Sequence, residues 1–253
     1  PPAPYFQGRF SNGPVFTELL GFDLARVGGP VTGSIGYAYG GARTDTSAFP
    51  PGMLAQLTSY TNAGGRFGSG DLVSVLGGAN NIFQAVGAAA VSPNPTGSIA
   101  PVSRAAAADI NTLVGRVATA GAGTVLVTNL PRFSVLPQFR GTGAEPLVDF
   151  AVGTFNDNLL AGLRTTAAGQ PGTNIIYMDL FKASDAINSN PGLFGITNST
   201  AACFTGTTLC SDPSGFFYFD GVHPTATGHR LIAQLADDYL YYGDAGAVTT
   251  VQG

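Results

Sequence analysis

The sequence predicts an α/β fold, a doubly wound layer sandwich around a mostly parallel sheet. Three observations carry this. Short apolar runs alternate with longer stretches whose apolar positions recur every three or four residues, the pattern of βαβ units whose sheet is covered on both faces. At 253 residues the chain fits one large domain and can bury a substantial core without a disulfide framework. It holds no internal repeat and no linker long enough to separate a pair of domains, so residues 1–253 are expected to form one domain.

The elements follow in order. Gly13–Leu20 has the helical spacing of apolar residues, and Ser34–Tyr39 is a weak strand candidate. Asp71–Leu76 reads as a strand through Leu72-Val73-Ser74-Val75-Leu76, and Val102–Ala118 as a helix. Thr124–Thr128 and Asn174–Asp179 are short apolar runs expected as strands, with the helix Pro146–Ala168 between them. Asp179 stands where it would cap a following helix. Thr225–Tyr241 closes the series as a helix, and the Gly-rich stretches Ala63–Gly70 and Gly141–Gly143 read as surface loops. In such sheets, ligands and chemistry gather in the crevice at the carboxyl ends of the strands.

Composition narrows the function. Only 10% of residues are charged while 44% are hydrophobic, which supplies a core and marks a globular chain. A net charge of -4 with no cluster of Lys or Arg argues against nucleic acid as a partner. Two histidines with no carboxylate or cysteine cluster make a poor metal site, and His229 is read as a packed or solvated helix residue. No apolar run reaches the roughly 20 residues that span a bilayer, and Pro1-Pro2-Ala3-Pro4 lacks the elements of a signal peptide, so an export signal is expected to have been removed. Cys203 and Cys210, the only cysteines, bracket a short loop that a disulfide could close.

Three short segments could carry chemistry. In Asp220-Gly221-Val222-His223-Pro224-Thr225 an acid and an imidazole lie three residues apart in a turn leading into the last helix. Such a pair serves a nucleophile, with the imidazole as proton acceptor and the carboxylate holding its tautomer. Taken alone, the same residues also describe a helix cap and a surface histidine. Gly77-Gly78-Ala79-Asn80-Asn81 follows a strand, where an Asn amide can project over the crevice as a donor. Tyr37-Ala38-Tyr39-Gly40-Gly41-Ala42 could aim a backbone amide at an oxyanion. Neither glycine run has the spacing of a dinucleotide fingerprint or a phosphate loop. The aromatic group Phe216-Phe217-Tyr218-Phe219 reads as core, some of which could line an acyl pocket.

The set, in order, resembles a known family. Gly8-Arg9-Phe10-Ser11-Asn12-Gly13-Pro14-Val15, the Tyr37–Ala42 run, Gly78-Ala79-Asn80-Asn81, Asn129-Leu130-Pro131, Phe155-Asn156 and the Asp220–Thr225 run are together similar to the long GDSL esterase/lipase branch of the SGNH hydrolases. Asn190-Pro191-Gly192-Leu193-Phe194-Gly195 through Cys203 and Cys210 looks like that branch too. The resemblance implies a three-layer α/β/α sandwich with a flavodoxin-like sheet, hydrolysis of carboxylic esters through an acyl-serine, and no metal or organic cofactor. It makes His223 the general base, Asp220 its orienting carboxylate, Asn80 a side-chain oxyanion donor and Gly41 a backbone one, with Gly40 as the fallback. Asn81 stands where the family pattern has Asp, which touches fine tuning.

One departure is larger. The family's Gly-Asp-Ser, which bears the nucleophile on the central strand of its sheet, occurs nowhere here, and no G-x-S-x-G elbow replaces it. Ser11 lies in a block that is structural in the family. The expectation is therefore a serine upstream of Pro1, on an additional segment or a separate chain, because a sheet without its central strand would leave backbone groups unpaired. The competing readings are a binding module that has lost its nucleophile and an acyltransferase of the same family. Low Lys content, many small polar residues and the cysteine pair point to secretion or surface display, as in an autotransporter passenger.

Overall fold

The computed structural model describes residues 1–24 and 34–242. At its centre, β1 (Leu72–Leu76), β2 (Thr124–Thr128) and β3 (Asn174–Met178) form a three-stranded parallel sheet in that order. Leu72 lies opposite Thr124 and Thr124 opposite Asn174, so the strands run in step and their carboxyl ends meet at one edge.

Successive side chains of a strand point to opposite faces. Val125, Val127 and Ile175 accordingly enter one core, while Leu126, Ile176 and Met178 enter another across the sheet. The first core is filled from α2 (Met53–Asn62), α3 (Ala79–Ala90), α4 (Pro95–Thr119) and α5 (Glu145–Gly169), with Leu54, Ile82, Ile110 and Leu159 buried in it. The second is filled from α1 (Phe16–Leu19), α6 (Leu180–Ser189) and α7 (Ala226–Tyr242) by Phe16, Leu180 and Ile232. Helices cover both faces, which gives the three-layer α/β/α sandwich.

Local chemistry sets most boundaries. Asn94 caps α4 by accepting from the Gly97 amide at 3.0 Å, and Pro95 in the first turn forfeits no helical hydrogen bond. The helix therefore starts before Val102 and runs through Pro101, longer than the expected Val102–Ala118. Conversely, only Phe16–Leu19 of the expected Gly13–Leu20 is helical, because Glu18 accepts from the Val15 amide at 3.0 Å and fixes a later start. Asp179 caps α6 by accepting from the Lys182 amide at 3.1 Å. Strands β1, β2 and β3 and helices α5 and α7 lie within one residue of their expected bounds. Ser34–Tyr39 forms no strand, with a single bridging residue at Gly36.

A second, two-stranded parallel sheet, β4 (Asn198–Ala202) with β5 (Phe216–Tyr218), was not legible in the sequence. Cys203 and Cys210 are joined in a disulfide just after β4. β1 pairs only with β2 among the described strands, and a groove of about 1240 Å³ runs along it. All five residues of β1 line that groove, as do Ser34–Tyr39 and the inner face of α7, including His229 and Leu235. No helix among the described residues is long and apolar enough to cross a membrane.

Candidate active site

The loop from β5 to α7 is folded by its own hydrogen bonds. The Phe219 amide donates to the His223 carbonyl at 2.8 Å, while the Thr225 hydroxyl donates to the Phe216 carbonyl and accepts from the Gly228 amide, capping α7. Inside this loop Asp220 Oδ1 accepts from the amides of Val222 at 2.9 Å and His223 at 2.7 Å. His223 Nδ1 lies 2.8 Å from Asp220 Oδ2 and 3.0 Å from Oδ1. Burial pushes the Asp220 carboxyl up, but the bond to His223, its charge and the two amides outweigh this and hold it at about 2. An ionised Asp220 accepts a hydrogen bond from Nδ1–H, which leaves Nε2 as the basic nitrogen. The His223 side chain is 40% exposed and Asp220 only 15%, so the base is reachable while its partner is sheltered.

The N-terminal block packs against this loop. Phe10 stacks on the His223 ring with centroids 4.8 Å apart, and the Tyr5 hydroxyl donates to Asp220 Oδ2 at 2.8 Å. Tyr5 itself meets Phe10, Phe204 and Phe219 edge-on. Ser11 is fully buried and its hydroxyl donates to the Pro224 carbonyl at 3.0 Å, while Asn12 Oδ1 accepts from the Ala226 amide at 2.8 Å. Ser11 thus holds the block on the loop that enters α7, and Asn12 holds it on the first residue of that helix.

The oxyanion candidates lie on two other segments, the Tyr39–Ala42 turn and the start of α3. Tyr39–Ala42 is a turn closed by the Ala42 amide on the Tyr39 carbonyl at 3.2 Å, with Gly41 at φ +79°, a value its third position reserves for glycine. Phe10 lies over Gly40, leaving no room for a Cβ there. Among the described residues the Gly41 N–H has no partner. Asn80 stands in the first turn of α3, after Gly78 has turned the chain at φ +106°, and its Nδ2 donates to the Ala42 carbonyl at 2.9 Å. One amide hydrogen of Asn80 remains available, and Asn80 and His223 line the same groove.

Asn81 grips Thr44, two residues beyond the turn. Its Oδ1 accepts from the Thr44 amide and its Nδ2 donates to the Thr44 hydroxyl, each at 3.2 Å, while that hydroxyl donates to Asp109 at 2.7 Å. The Asn in this position therefore supplies both a donor and an acceptor, which an ionised Asp could not. Asn129 and Asn156 are framework: Asn129 bonds Asp179 and the Phe181 amide, and Asn156 pairs both ways with the Leu130 backbone. His229 is buried in α7, where Nδ1 accepts from the Phe16 amide at 3.3 Å. Of the aromatic group, Phe217, Tyr218 and Phe219 are buried, and Phe217 and Tyr218 line the groove. Among the described residues no His, Cys, Asp and Glu gather in a group that could hold a metal ion.

Tyr5 and Phe10 are the contributors that sequence reasoning missed. Tyr5 touches a residue 215 positions away, and no local pattern signals so distant a contact.

The chain is similar to several known proteins. It is 32% identical to Esterase EstA of Pseudomonas aeruginosa over 46% of this chain and 19% of that protein. An uncharacterized protein in the trpE-trpG intergenic region of Pseudomonas putida is 26% identical over 78% of this chain and 34% of its own length. The chain thus spans between a fifth and about a third of the length of these two relatives. A crystal structure of an extracellular lipase from Streptomyces rimosus aligns at 20% identity with a TM-score of 0.45, covering 81% of this chain and 79% of that one. The model of the family described as GDSL-like lipase/acylhydrolase matches residues 3–236, a span that holds Tyr5, the Gly40-Gly41 turn, Asn80 and the Asp220–His223 loop. The chain is a member of the GDSL-like lipase/acylhydrolase family.

Proposed function

We propose that the protein hydrolyses carboxylic esters of small molecules or lipids through an acyl-serine intermediate. The observation that carries this reading is the 2.8 Å contact of His223 Nδ1 with Asp220, on an imidazole that lines one groove with Asn80. A serine hydroxyl attacks the ester carbonyl carbon while His223 Nε2 takes its proton. Asp220 balances the imidazolium, and the developing oxyanion accepts from the Gly41 N–H and the free Asn80 amide hydrogen. Collapse expels the alkoxide, which leaves with the proton from His223. Water, deprotonated by the same nitrogen, then releases the acid and frees the serine.

The serine, in this proposal, is carried by a further strand seated along β1. Two observations favour that place. The run Leu72-Val73-Ser74-Val75-Leu76 has no charge and no proline, the composition of a strand flanked on both sides, yet Leu76 is 45% exposed and β1 has one partner among the described strands. The groove beside it is also lined by Ser34–Tyr39 and by His223, so it offers a strand laid there a path to the base. The disulfide supports an oxidising compartment, and we place the protein at the cell surface or outside the cell.

The test is to treat the full-length natural protein with a fluorophosphonate probe, alongside p-nitrophenyl ester turnover, and to map the labelled residue by mass spectrometry. The expected result is one labelled serine outside residues 1–253, with label and turnover both lost in His223→Ala. Label on Ser11 or any other serine of residues 1–253, or turnover indifferent to His223→Ala, overturns the reading.

A further inference from the structure

The Asp220–His223 pair is held from a direction that its own loop does not supply. Within the loop, both backbone donors reach Asp220 Oδ1, leaving Oδ2 with the His223 ring alone. The remaining ligand of Oδ2 is the Tyr5 hydroxyl at 2.8 Å. Without Tyr5 the only hold on Oδ2 is the imidazole that the carboxylate is meant to orient, and an independent donor there fixes the carboxylate about its Cβ–Cγ bond whatever the ring does. The Tyr5 ring is oriented by three edge-on aromatic contacts, with Phe10, Phe204 and Phe219 at 5.2–5.8 Å. Phe10 then covers His223 as a stacked ring, 24° from parallel, and lies against Gly40 beside the oxyanion turn. A ring face so placed attracts the cation that the imidazole becomes on accepting a proton.

We infer that Tyr5 and Phe10 are positioning residues of the hydrolytic site: the Tyr5 hydroxyl locks the Asp220 carboxylate, and the Phe10 ring holds His223 in register with the Gly40-Gly41 turn. The inference rests on the esterase reading for its kinetic arm and is independent of it for its spectroscopic arm. The Tyr5 phenol is pushed up to about 12, by burial first and then by the bond and charge of Asp220, so it stays protonated and donating across the working range of pH.

The experiment compares Tyr5→Phe, Phe204→Leu, Phe10→Leu and Phe10→Tyr in the full-length protein, reading kcat and KM for a p-nitrophenyl ester and the titration of the Asp220 carboxyl carbon by NMR. Tyr5→Phe keeps the ring and removes only the hydroxyl. It is expected to lower kcat about 10-fold at unchanged KM and to move the Asp220 titration upward from about 2, because a donor to the ionised form is lost. Phe204→Leu loosens the same packing but keeps the hydroxyl, so it lowers kcat and moves the Asp220 titration less than Tyr5→Phe does. Phe10→Leu lowers kcat about 10-fold, and Phe10→Tyr, which restores a stacking ring, recovers most of it. An Asp220 titration unmoved by Tyr5→Phe, or equal loss in Phe10→Leu and Phe10→Tyr, overturns the inference. Turnover insensitive to His223→Ala instead overturns the esterase reading, and the titration arm still decides the role of Tyr5.

Discussion

Asn80 does two things with one amide group. One hydrogen fastens the start of α3 to the Ala42 carbonyl at 2.9 Å, and the other is the one assigned to the oxyanion in the proposed mechanism. Asn80→Ala therefore loses both, and kcat is expected to fall about 100- to 1000-fold, as on removal of one oxyanion donor. The lost tether adds about 1 kcal/mol of destabilisation, read as a shift of the urea midpoint at unchanged slope. At this scale much was legible in advance. Asp220 and His223 announce themselves because their contact spans three residues and the loop that makes it is contiguous. Asn80 and Gly41 are singled out by the family resemblance, since each glycine run alone reads as an ordinary turn. Tyr5 and Phe10 were not legible, since their chemistry arises only when the chain's beginning is folded onto its end.

Among the elements, α1 and α7 are joined by a titratable pin. His229 projects from α7 onto the Phe16 amide of α1, and burial, then the nearby His223 charge, pushes its imidazole down to about 4 from an ordinary 6.5, against the opposing pull of Glu18. Between those two values the unfolded chain binds this proton and the folded one refuses it. Stability therefore rises with pH across the window, and falls as pH drops from 6.5 towards 4. The loss is up to about 3 kcal/mol from this group. Urea midpoints at pH 7 and pH 4.5 should show it, and His229→Gln should flatten the difference. The sequence located His229 on the last helix but not its depth, because the depth depends on α1, whose helix begins later than its apolar spacing implies. In the same way α2 and α3 escaped notice, since they are short and their apolar faces are defined only by the layer they pack on, while α6 was signalled by its cap Asp179 alone. Strands β2 and β3, buried on both faces, were read almost to the residue because their apolar runs answer to no single neighbour.

The molecule as a whole rests on one three-layer sandwich with a small stapled annex. The Cys203–Cys210 disulfide closes a short loop at the end of β4, and the adjoining Phe204 packs on Tyr5 and Phe219. Opening it is expected to cost about 2–3 kcal/mol. That lowers Tm by roughly 5–10 °C for a domain of this size. Calorimetry with and without reductant measures the shift, and Cys203→Ser/Cys210→Ser should show it without reductant. Because Phe204 also orients Tyr5, kcat is expected to fall with the staple, which ties the redox state of the surroundings to turnover. The architecture and its layers could be read from the alternation of runs. The annex could not, because its short strands carry no period long enough to register.

The outer strand has a further consequence for handling and for life in the cell. Among the described residues the side of Leu72-Val73-Ser74-Val75-Leu76 away from β2 pairs with no strand, and the run has none of the lysines, prolines or bulges that keep sheets from sticking to one another. Left open, it is a template for any extended chain of like composition, a neighbouring copy included. A strand seated in that groove, as proposed above, would also guard the edge against such pairing.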